Sequence, residues 1–494
     1  MKKKSLKFNF LMSLTRTLMS VIFPLITYPY ASRVLGVSSV GQVYFSSSVI
    51  VYFQLLSSLG ISTYAIAEGS KIRDNRVKLD QFATEIIFIN IISTVISYIG
   101  LIVSIYRFPI LNHYRDVLLI SSLSIGFTTF GIEWLYGIYE EYKYITLRAI
   151  AFQILSLIAL LVFVRNENDV LKYVAISAFS NAGSAIFNLI HSRKFFSFKF
   201  TRKNFMHSKV HLKPVFIIFG MSIASIIYVN SDIIMLGIIQ NDTEVGLYTT
   251  AVKISHLGTI LISSLSVVLL PRLSFYIGSG NKEEFEKLAK KTINSMLMLI
   301  FPGVILLFLL SKELVLIISG VGYLGAVSAT KILAFNLLLS PINGFLSYQL
   351  FMPCRREKMA FYATIIGSIV NICLNLILIP KYSLNGAALA TIIAESMVLI
   401  ICIPQAKKIV NLPNILNEAY QYIISGSSIV CIYVLIQLFD LKNMYVEVFC
   451  TVFLSIVIYF SILVAFKNTL FLQYFTEGKS MLLRIRGNVK NDKY

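Results

Sequence analysis

The chain has 494 residues, 56% of them hydrophobic and only 14% charged, with a formal net charge of +20. Its mean hydropathy of +0.76 excludes a soluble globular domain, which needs more polar surface than this to enclose a core. The apolar runs are continuous rather than alternating, which excludes a transmembrane barrel.

Runs of about 18 or more apolar residues, each long enough to cross a bilayer as a helix, recur from end to end. The sequence opens Met1-Lys2-Lys3-Lys4 before the first of them. That resembles a signal peptide, but the run is too long, and Pro24, Pro29 and Arg33 follow where small residues should mark a cleavage site, so a retained first helix is expected. The predicted spans of the first half are 8–30, 40–66, 83–106, 116–138, 144–164 and 170–190. Those of the second half are 215–239, 246–270, 293–318, 328–352, 361–379 and 385–403. Two more, 419–439 and 446–466, close the chain. The fold class expected is therefore an all-α polytopic membrane protein of about fourteen spans. It consists of an N-terminal six-helix lobe (1–191), a basic linker (192–214), a C-terminal six-helix lobe (215–405), two additional helices (406–466) and a basic tail (467–494).

Loop charge orients these spans. The second connection carries Lys71, Arg73, Arg76 and Lys78. The sixth carries Arg193, Lys194, Lys199, Arg202, Lys203, Lys209 and Lys213, and the eighth and tenth are similarly basic. Odd-numbered connections hold only scattered charges. Lys and Arg are retained on the cytoplasmic side, so both termini are expected there. The net charge thus reports topology, and no nucleic-acid partner is expected. Within the eighth connection, Lys282-Glu283-Glu284-Phe285-Glu286-Lys287-Leu288 suits a short amphipathic helix. Pro24 and Pro29, Pro302-Gly303 and Ser340-Pro341 are expected to kink the spans that contain them.

A phrase occurs twice. Leu35-Gly36 ends an apolar run and Val40-Gly41 with Tyr44 opens the next; Leu236-Gly237 and Val245-Gly246 with Tyr248 do the same. Its matching place in the two halves points to a duplicated bundle.

Charges within a span cost about 2.5–3.5 kcal/mol on insertion scales, so those present need a reason. Arg16 lies in the first span, and Glu68, Glu85 and Glu133 lie near the inner ends of spans two to four. Arg16 either pairs with one of these carboxylates or forms part of a cationic cavity wall. Asp232 and Lys253 fall at similar depth on two consecutive helices, as an ion pair or as separate sites, and His256 extends the polar face of Lys253. Lys331 is nearer a surface, where its long side chain can reach water. Asn371 and Asn375 share a helix face, Glu395 is mid-span, and Ser47, Gln54 and Ser58 form a stripe on span two that suits either packing or a hydrated path. Asp232, Glu395 and Glu133 are the candidates for ion coupling or charge pairing. The five cysteines, at 354, 373, 402, 431 and 450, form no close pair. No metal-ligand spacing, phosphate loop or catalytic triad is legible, so neither a cofactor nor a metal is expected, and transport rather than catalysis is.

The stretch Tyr28-Pro29-Tyr30-Ala31-Ser32-Arg33-Val34-Leu35-Gly36 with Val40-Gly41 resembles the opening of the polysaccharide transporter family, the Wzx-type repeat-unit flippases. Leu59-Gly60-Ile61-Ser62-Thr63-Tyr64, Asp232-Ile233-Ile234-Met235-Leu236-Gly237, Pro271-Arg272-Leu273-Ser274 and the segment from Asn371 through Pro380-Lys381-Tyr382 to Gly386-Ala387-Ala388 are similar to later signatures of the same family. The likeness extends to about residue 405. It implies the multidrug/oligosaccharidyl-lipid/polysaccharide superfamily fold, two six-helix lobes around a central cavity open alternately to each side. It also implies the cargo, an undecaprenyl-diphosphate-linked oligosaccharide carried to the outer leaflet for O-antigen, capsule or another surface polysaccharide. Cationic cavity residues are expected to meet the diphosphate, with Arg16, Lys253 and Lys331 as candidates, and Gln54, Asn371 and Asn375 as sugar contacts. A polysaccharide polymerase and chain-length machinery are the protein partners implied. The alternatives within the superfamily are a peptidoglycan lipid-precursor flippase and a multidrug exporter; outside it, a membrane polysaccharide polymerase.

Overall fold

A computed structural model describes residues 6–196, 207–267, 269–410 and 419–476. The linker residues Lys199, Arg202 and Lys203 and most of the basic tail lie outside these. Among the described residues there is no strand. The first half consists of α1 (Leu6–Ser58), α2 (Ile61–Ile72), α3 (Arg76–Arg107), α4 (Pro109–His113), α5 (Arg115–Phe130), α6 (Glu133–Ile138), α7 (Tyr142–Phe163) and α8 (Val170–Ser192). The second consists of α9 (Lys209–Ile239), α10 (Asp242–Val267), α11 (Leu270–Gly278), α12 (Lys282–Leu309), α13 (Ser311–Ile318), α14 (Val327–Ala334), α15 (Asn336–Gly344) and α16 (Glu357–Lys407), followed by α17 (Ala419–Leu438) and α18 (Met444–Ala465).

In hydrocarbon every backbone donor and acceptor must be satisfied within its own segment, so apolar runs of this length fold as helices. Large apolar side chains such as Ile99, Val103, Ile158, Phe163 and Phe187 remain exposed on them, as a lipid-facing surface requires. Among the described residues, eleven helices are long and apolar enough to span a membrane, and a pair bent by 50°, Val321–Ala334 with Asn336–Phe351, makes a twelfth. Two of the eleven are interrupted by one non-helical residue, Gly36 (φ 75°) in α1 and Ser383 (φ 50°) in α16. Each therefore comprises two spans, and the total agrees with the expected count of about fourteen.

Two local expectations are corrected. α12 begins at Lys282, where the Asn281 side chain accepts the backbone N–H of Glu284 at 3.2 Å, and continues unbroken to Leu309. The stretch read as a separate amphipathic helix is its first two turns, because no glycine or proline stands between Lys287 and Ile293 to end it. α1 runs through Pro24 and Pro29, and α12 through Pro302. The bend in the tenth span falls at Phe335 rather than at Pro341, which lies inside α15 and is followed by a π-helical turn over Phe345–Phe351.

The described residues group into two compact units. One is drawn from Met1–Thr249, Ile318–Tyr323 and Asn375–Leu384, the other from Thr250–Ile317, Leu324–Leu374 and Asn385–Tyr494. The two short outlying segments join the first unit because the first six odd-numbered connections converge on one another. The two repeated phrases meet there. A Cβ on Gly41 would lie 1.8 Å from the carbonyl oxygen of Asp242, and a Cβ on Gly246 would lie 2.2 Å from that of Val37. Each Val-Gly glycine thus lets the other phrase's backbone approach.

Around this crossing, Tyr114 donates its hydroxyl to Asp242 at 2.5 Å and Ser39 donates to the Glu167 carbonyl at 3.4 Å. Tyr323 donates to the Ser32 carbonyl at 3.2 Å, and Gln240 donates its side-chain amide to the Ile379 carbonyl at 3.0 Å. Ser383, a serine in the left-handed region at a cost of about 1–2 kcal/mol, donates its hydroxyl to the Glu244 carboxylate, which also receives the backbone N–H of Leu384. Gathering of odd-numbered turns in one place is what alternating loop charge requires, since connections of like parity share a membrane face.

Carbonyl oxygens held within helices or tight turns cannot rotate away as a side chain can. Gly41→Ala and Gly246→Ala are each expected to cost about 1–3 kcal/mol or more, seen as a lower thermal unfolding midpoint in detergent. Gly220→Ala, at a helical position with nothing within 4 Å of the added methyl, is expected to be neutral.

Candidate functional site

Within the first unit, α1, α3, α5, α6, α7 and α8 enclose a cavity of about 640 Å³. Its wall is mostly polar: Gln54 and Ser58 from α1, Asn90 from α3, Ser124 and Thr128 from α5, Gln153 from α7, and Ser180, Ser184 and Asn188 from α8. Two smaller hollows, of about 280 and 230 Å³, share walls with it. The first adds Ser47 beside Gln54 and the second lies beside Gln153 and Ser180. The Ser47, Gln54, Ser58 stripe thus faces hollows along α1, and Gln54 donates to Ser124 Oγ at 2.8 Å.

A break that the sequence reading did not anticipate shapes the charged end of this cavity. The fourth predicted span, 116–138, is two helices, because the chain turns at Gly131 and at Ile132, which has φ 44°. Asn188 of α8 donates to the Gly131 carbonyl at 2.6 Å, and Tyr136 donates to the Asn188 carbonyl at 2.8 Å. The peptide group freed by the break is therefore satisfied by protein, as a membrane interior demands. The turn places Glu133 in the first turn of α6, where the helix dipole favours a carboxylate.

Glu133 is shared by two arginines. Arg16 Nη2 lies 2.7 Å from Glu133 Oε2, and Arg148 Nη2 lies 3.1 Å from Oε1. Two guanidiniums and one carboxylate leave the cluster with a charge of +1. Arg16 is 39% exposed, but the Arg148 side chain is only 6% exposed. Its Nε and Nη1 are buried without a hydrogen-bond partner, while its guanidinium carbon stands 5.8 Å from the Tyr144 ring centroid, within cation–π range. Unmade hydrogen bonds on a buried cation are costly.

Arg16 pairs with a carboxylate and also lines this cavity. Arg148 is not among the residues the sequence singles out, and the packing of α7 is what buries it. Of the other carboxylates near the inner span ends, Glu68 pairs with Lys71 at 2.7 Å on the surface and Glu85 meets two histidines.

The remaining predicted site residues fall elsewhere. Asp232 is buried, and its carboxylate accepts from Tyr248 Oη and from Asn375 Nδ2, each at 2.6 Å. Asn371 belongs to the second unit and is buried. So does Glu395, whose carboxylate and carbonyl accept from Asn343 Nδ2 at 2.5 and 2.9 Å. Lys253 and Lys331 are half-buried in the second unit, Lys331 with its ammonium 5.6 Å from the Phe308 ring centroid. The described cavity therefore brings together Arg16, Gln54 and Glu133 of the predicted set, and adds Arg148.

The family model described as polysaccharide biosynthesis protein matches residues 6–276, more than half of the chain. A putative O-antigen transporter of Escherichia coli K12 is 23% identical over 382 residues, covering 76% of this chain and 91% of its own length. The capsular polysaccharide biosynthesis protein CapF of Staphylococcus aureus is 25% identical over 342 residues, covering 67% of this chain and 82% of its own. A probable low-salt glycan biosynthesis flippase, Agl15, of Haloferax volcanii is 25% identical over 195 residues, 40% of each chain. Among solved structures, the lipid II flippase MurJ in an inward closed conformation superposes with a TM-score of 0.74 at 20% identity, over 93% of this chain and 99% of that one. An inward-facing multidrug transporter of the MATE family gives 0.58 at 14% identity. These two likenesses are of fold.

Removing the shared carboxylate leaves Arg148 buried without its counter-charge. Glu133→Gln is expected to cost about 1–3 kcal/mol. Arg16→Gln, which loses a half-exposed ion pair, is expected to cost less than about 1 kcal/mol. Thermal unfolding of the two variants in one detergent orders them.

Proposed function

Since the chain belongs to the polysaccharide biosynthesis protein family, we propose that it is a flippase for a lipid-linked oligosaccharide, with the diphosphate of an undecaprenyl-diphosphate carrier as the group it grips. The observation that carries this reading is the Arg16–Glu133–Arg148 cluster, two guanidiniums on one carboxylate, at the wall of a cavity rich in polar side chains. A diphosphate is the part of such a cargo that needs fixed positive charge, and guanidinium presents its donors in the planar geometry that phosphate oxygens accept. The printed names of the relatives, an O-antigen transporter, a capsule biosynthesis protein and a glycan flippase, support transport of this cargo class and not catalysis.

In the mechanism, the diphosphate approaches the Arg16–Glu133–Arg148 cluster, where half-exposed Arg16 donates to its oxygens and buried Arg148 adds positive charge behind. Glu133 holds both guanidiniums in place, so little ordering is needed at the moment of binding. Gln54 and the serine-rich wall offer hydrogen bonds to sugar hydroxyls, while the prenyl chain stays in lipid. Lobes spanning 1–191 and 215–405, joined by the basic linker 192–214, then alternate access, with helices 406–466 peripheral. Lys253 and Lys331 supply further positive charge along the route, and Asn371 and Asn375 further sugar contacts.

Buried Asp232, held by Tyr248 and Asn375, and Glu395, held by Asn343, are the carboxylates at which a cation would couple to transport. With both termini cytoplasmic in a bacterial inner membrane, export of net negative charge is favoured by the potential, at about 2.3 kcal/mol per charge per 100 mV. A polymerase and chain-length machinery would take the product on the far side.

The experiment is reconstitution in vesicles with an undecaprenyl-diphosphate-linked oligosaccharide, reading its appearance in the opposite leaflet. Arg16→Gln/Arg148→Gln is expected to lower the initial rate at least about ten-fold, with Arg148→Lys intermediate because a point charge replaces the fork. Full flipping by the double variant would overturn the cationic grip.

A further inference from the structure

Away from the cavity, the first unit carries a second cluster of chemistry that transport does not use. His207 and His211, four residues apart across the start of α9, meet one carboxylate, Glu85 of α3. His207 Nδ1 lies 3.0 Å from both Glu85 oxygens, and His211 Nε2 lies 2.9 Å from Oε2. All three ligand atoms lie within 4.8 Å of one another. Glu85 is 2% exposed and His211 11%, whereas His207 is 56% exposed. Behind them, Gln81 donates to Glu85 Oε1 at 2.9 Å, and the Tyr64 hydroxyl is 2.8 Å from His211 Nδ1.

We propose that Glu85, His207 and His211 form a site for a divalent transition-metal ion, with Zn(II) as its best occupant and a fourth, water-filled position beside exposed His207. The donor set selects the class of ion. Two imidazoles and one carboxylate suit Zn(II) and its borderline neighbours, whereas Mg(II) and Ca(II) call for oxygen throughout. Three protein ligands with one open position is a common arrangement at zinc sites.

The surroundings supply the outer support that such sites need. With the proton of His211 on Nδ1 and donated to Tyr64, its Nε2 lone pair is free on the side of the carboxylate, and Gln81 fixes Glu85 from behind. Spacings of 2.9–3.0 Å are slightly tighter than the about 3.3 Å edge of a tetrahedron with bonds of 2.0–2.1 Å. Each imidazole therefore needs to part from the carboxylate by only a few tenths of an ångström, and exposed His207 can also adjust its spacing to His211, which is within 4.8 Å. A metal here would bolt the end of the basic linker, where α9 begins, onto α3. No spacing along the chain could signal the cluster, because Glu85 lies 122 residues from His207 and no motif joins them.

The test uses the full chain in detergent, purified without a polyhistidine tag and stripped with a chelator. Co(II) is the spectroscopic probe and Zn(II) the competitor. One equivalent of Co(II) is expected to give a visible ligand-field band that Zn(II) abolishes, and Zn(II) is expected to raise the unfolding midpoint. His207→Ala, an exposed position that should fold normally, is expected to remove the band and weaken Zn(II) binding about ten-fold or more. His113→Ala, at an exposed histidine outside the cluster, should change neither. The proposal is overturned if the wild type gives no one-equivalent band, or if wild type and His207→Ala bind Zn(II) equally. It is also overturned if acidification toward pH 6 stabilises the protein while metal does not, which would make the cluster an ion pair held by protons. No readout depends on transported substrate, so the result stands apart from the flippase assignment.

Discussion

The first unit depends on two backbone turns approaching more closely than any side chain permits. Gly41 meets the Asp242 carbonyl and Gly246 meets the Val37 carbonyl, so each repeated phrase is the packing partner of the other. That crossing gathers the other odd-numbered connections. Tyr114 reaches Asp242, Tyr323 reaches Ser32, and Gln240 and Glu244 hold the interrupted stretch at Ile379–Leu384. In a membrane protein, helix association gains little from the hydrophobic effect, because lipid tails are as apolar as leucine. Close approach at small residues and hydrogen bonds between turns take its place, and here both are concentrated in one small region.

Breaks in helices do complementary work. Gly36 and Ser383 turn the chain between spans, and Gly131–Ile132 turns it within one. At two of them neighbours satisfy the freed backbone groups: Glu244 accepts the N–H of Leu384 and Asn188 donates to the Gly131 carbonyl. The last of these breaks starts a new helix at Glu133 and so sets a carboxylate between two guanidiniums. The cavity's electrostatics follow from that turn. One carboxylate neutralises one arginine, and the remaining positive charge stays on a wall where Arg148 keeps two donors unmade. Charge that is expensive in low dielectric is retained where an anion can use it.

Much of this was legible in the residues. The span pattern follows from apolar runs whose length is dictated by bilayer thickness. The expectation that Leu35-Gly36 closes a span held, because only glycine takes φ 75° without strain. In the tenth span the bend falls at Phe335 rather than at Pro341. A proline removes one donor, but neighbours in a packed bundle decide whether the axis bends.

What the sequence determined by itself was class: a polytopic helical chain, its approximate span count and its family. These rest on composition and local patterns, which survive without knowledge of contacts. The tertiary structure alone decided which charges meet. Arg16 and Glu133 are 117 residues apart, and Glu85 and His211 are 126 apart. No helical period links such positions, because they are brought together by the packing of different helices and not by spacing along one.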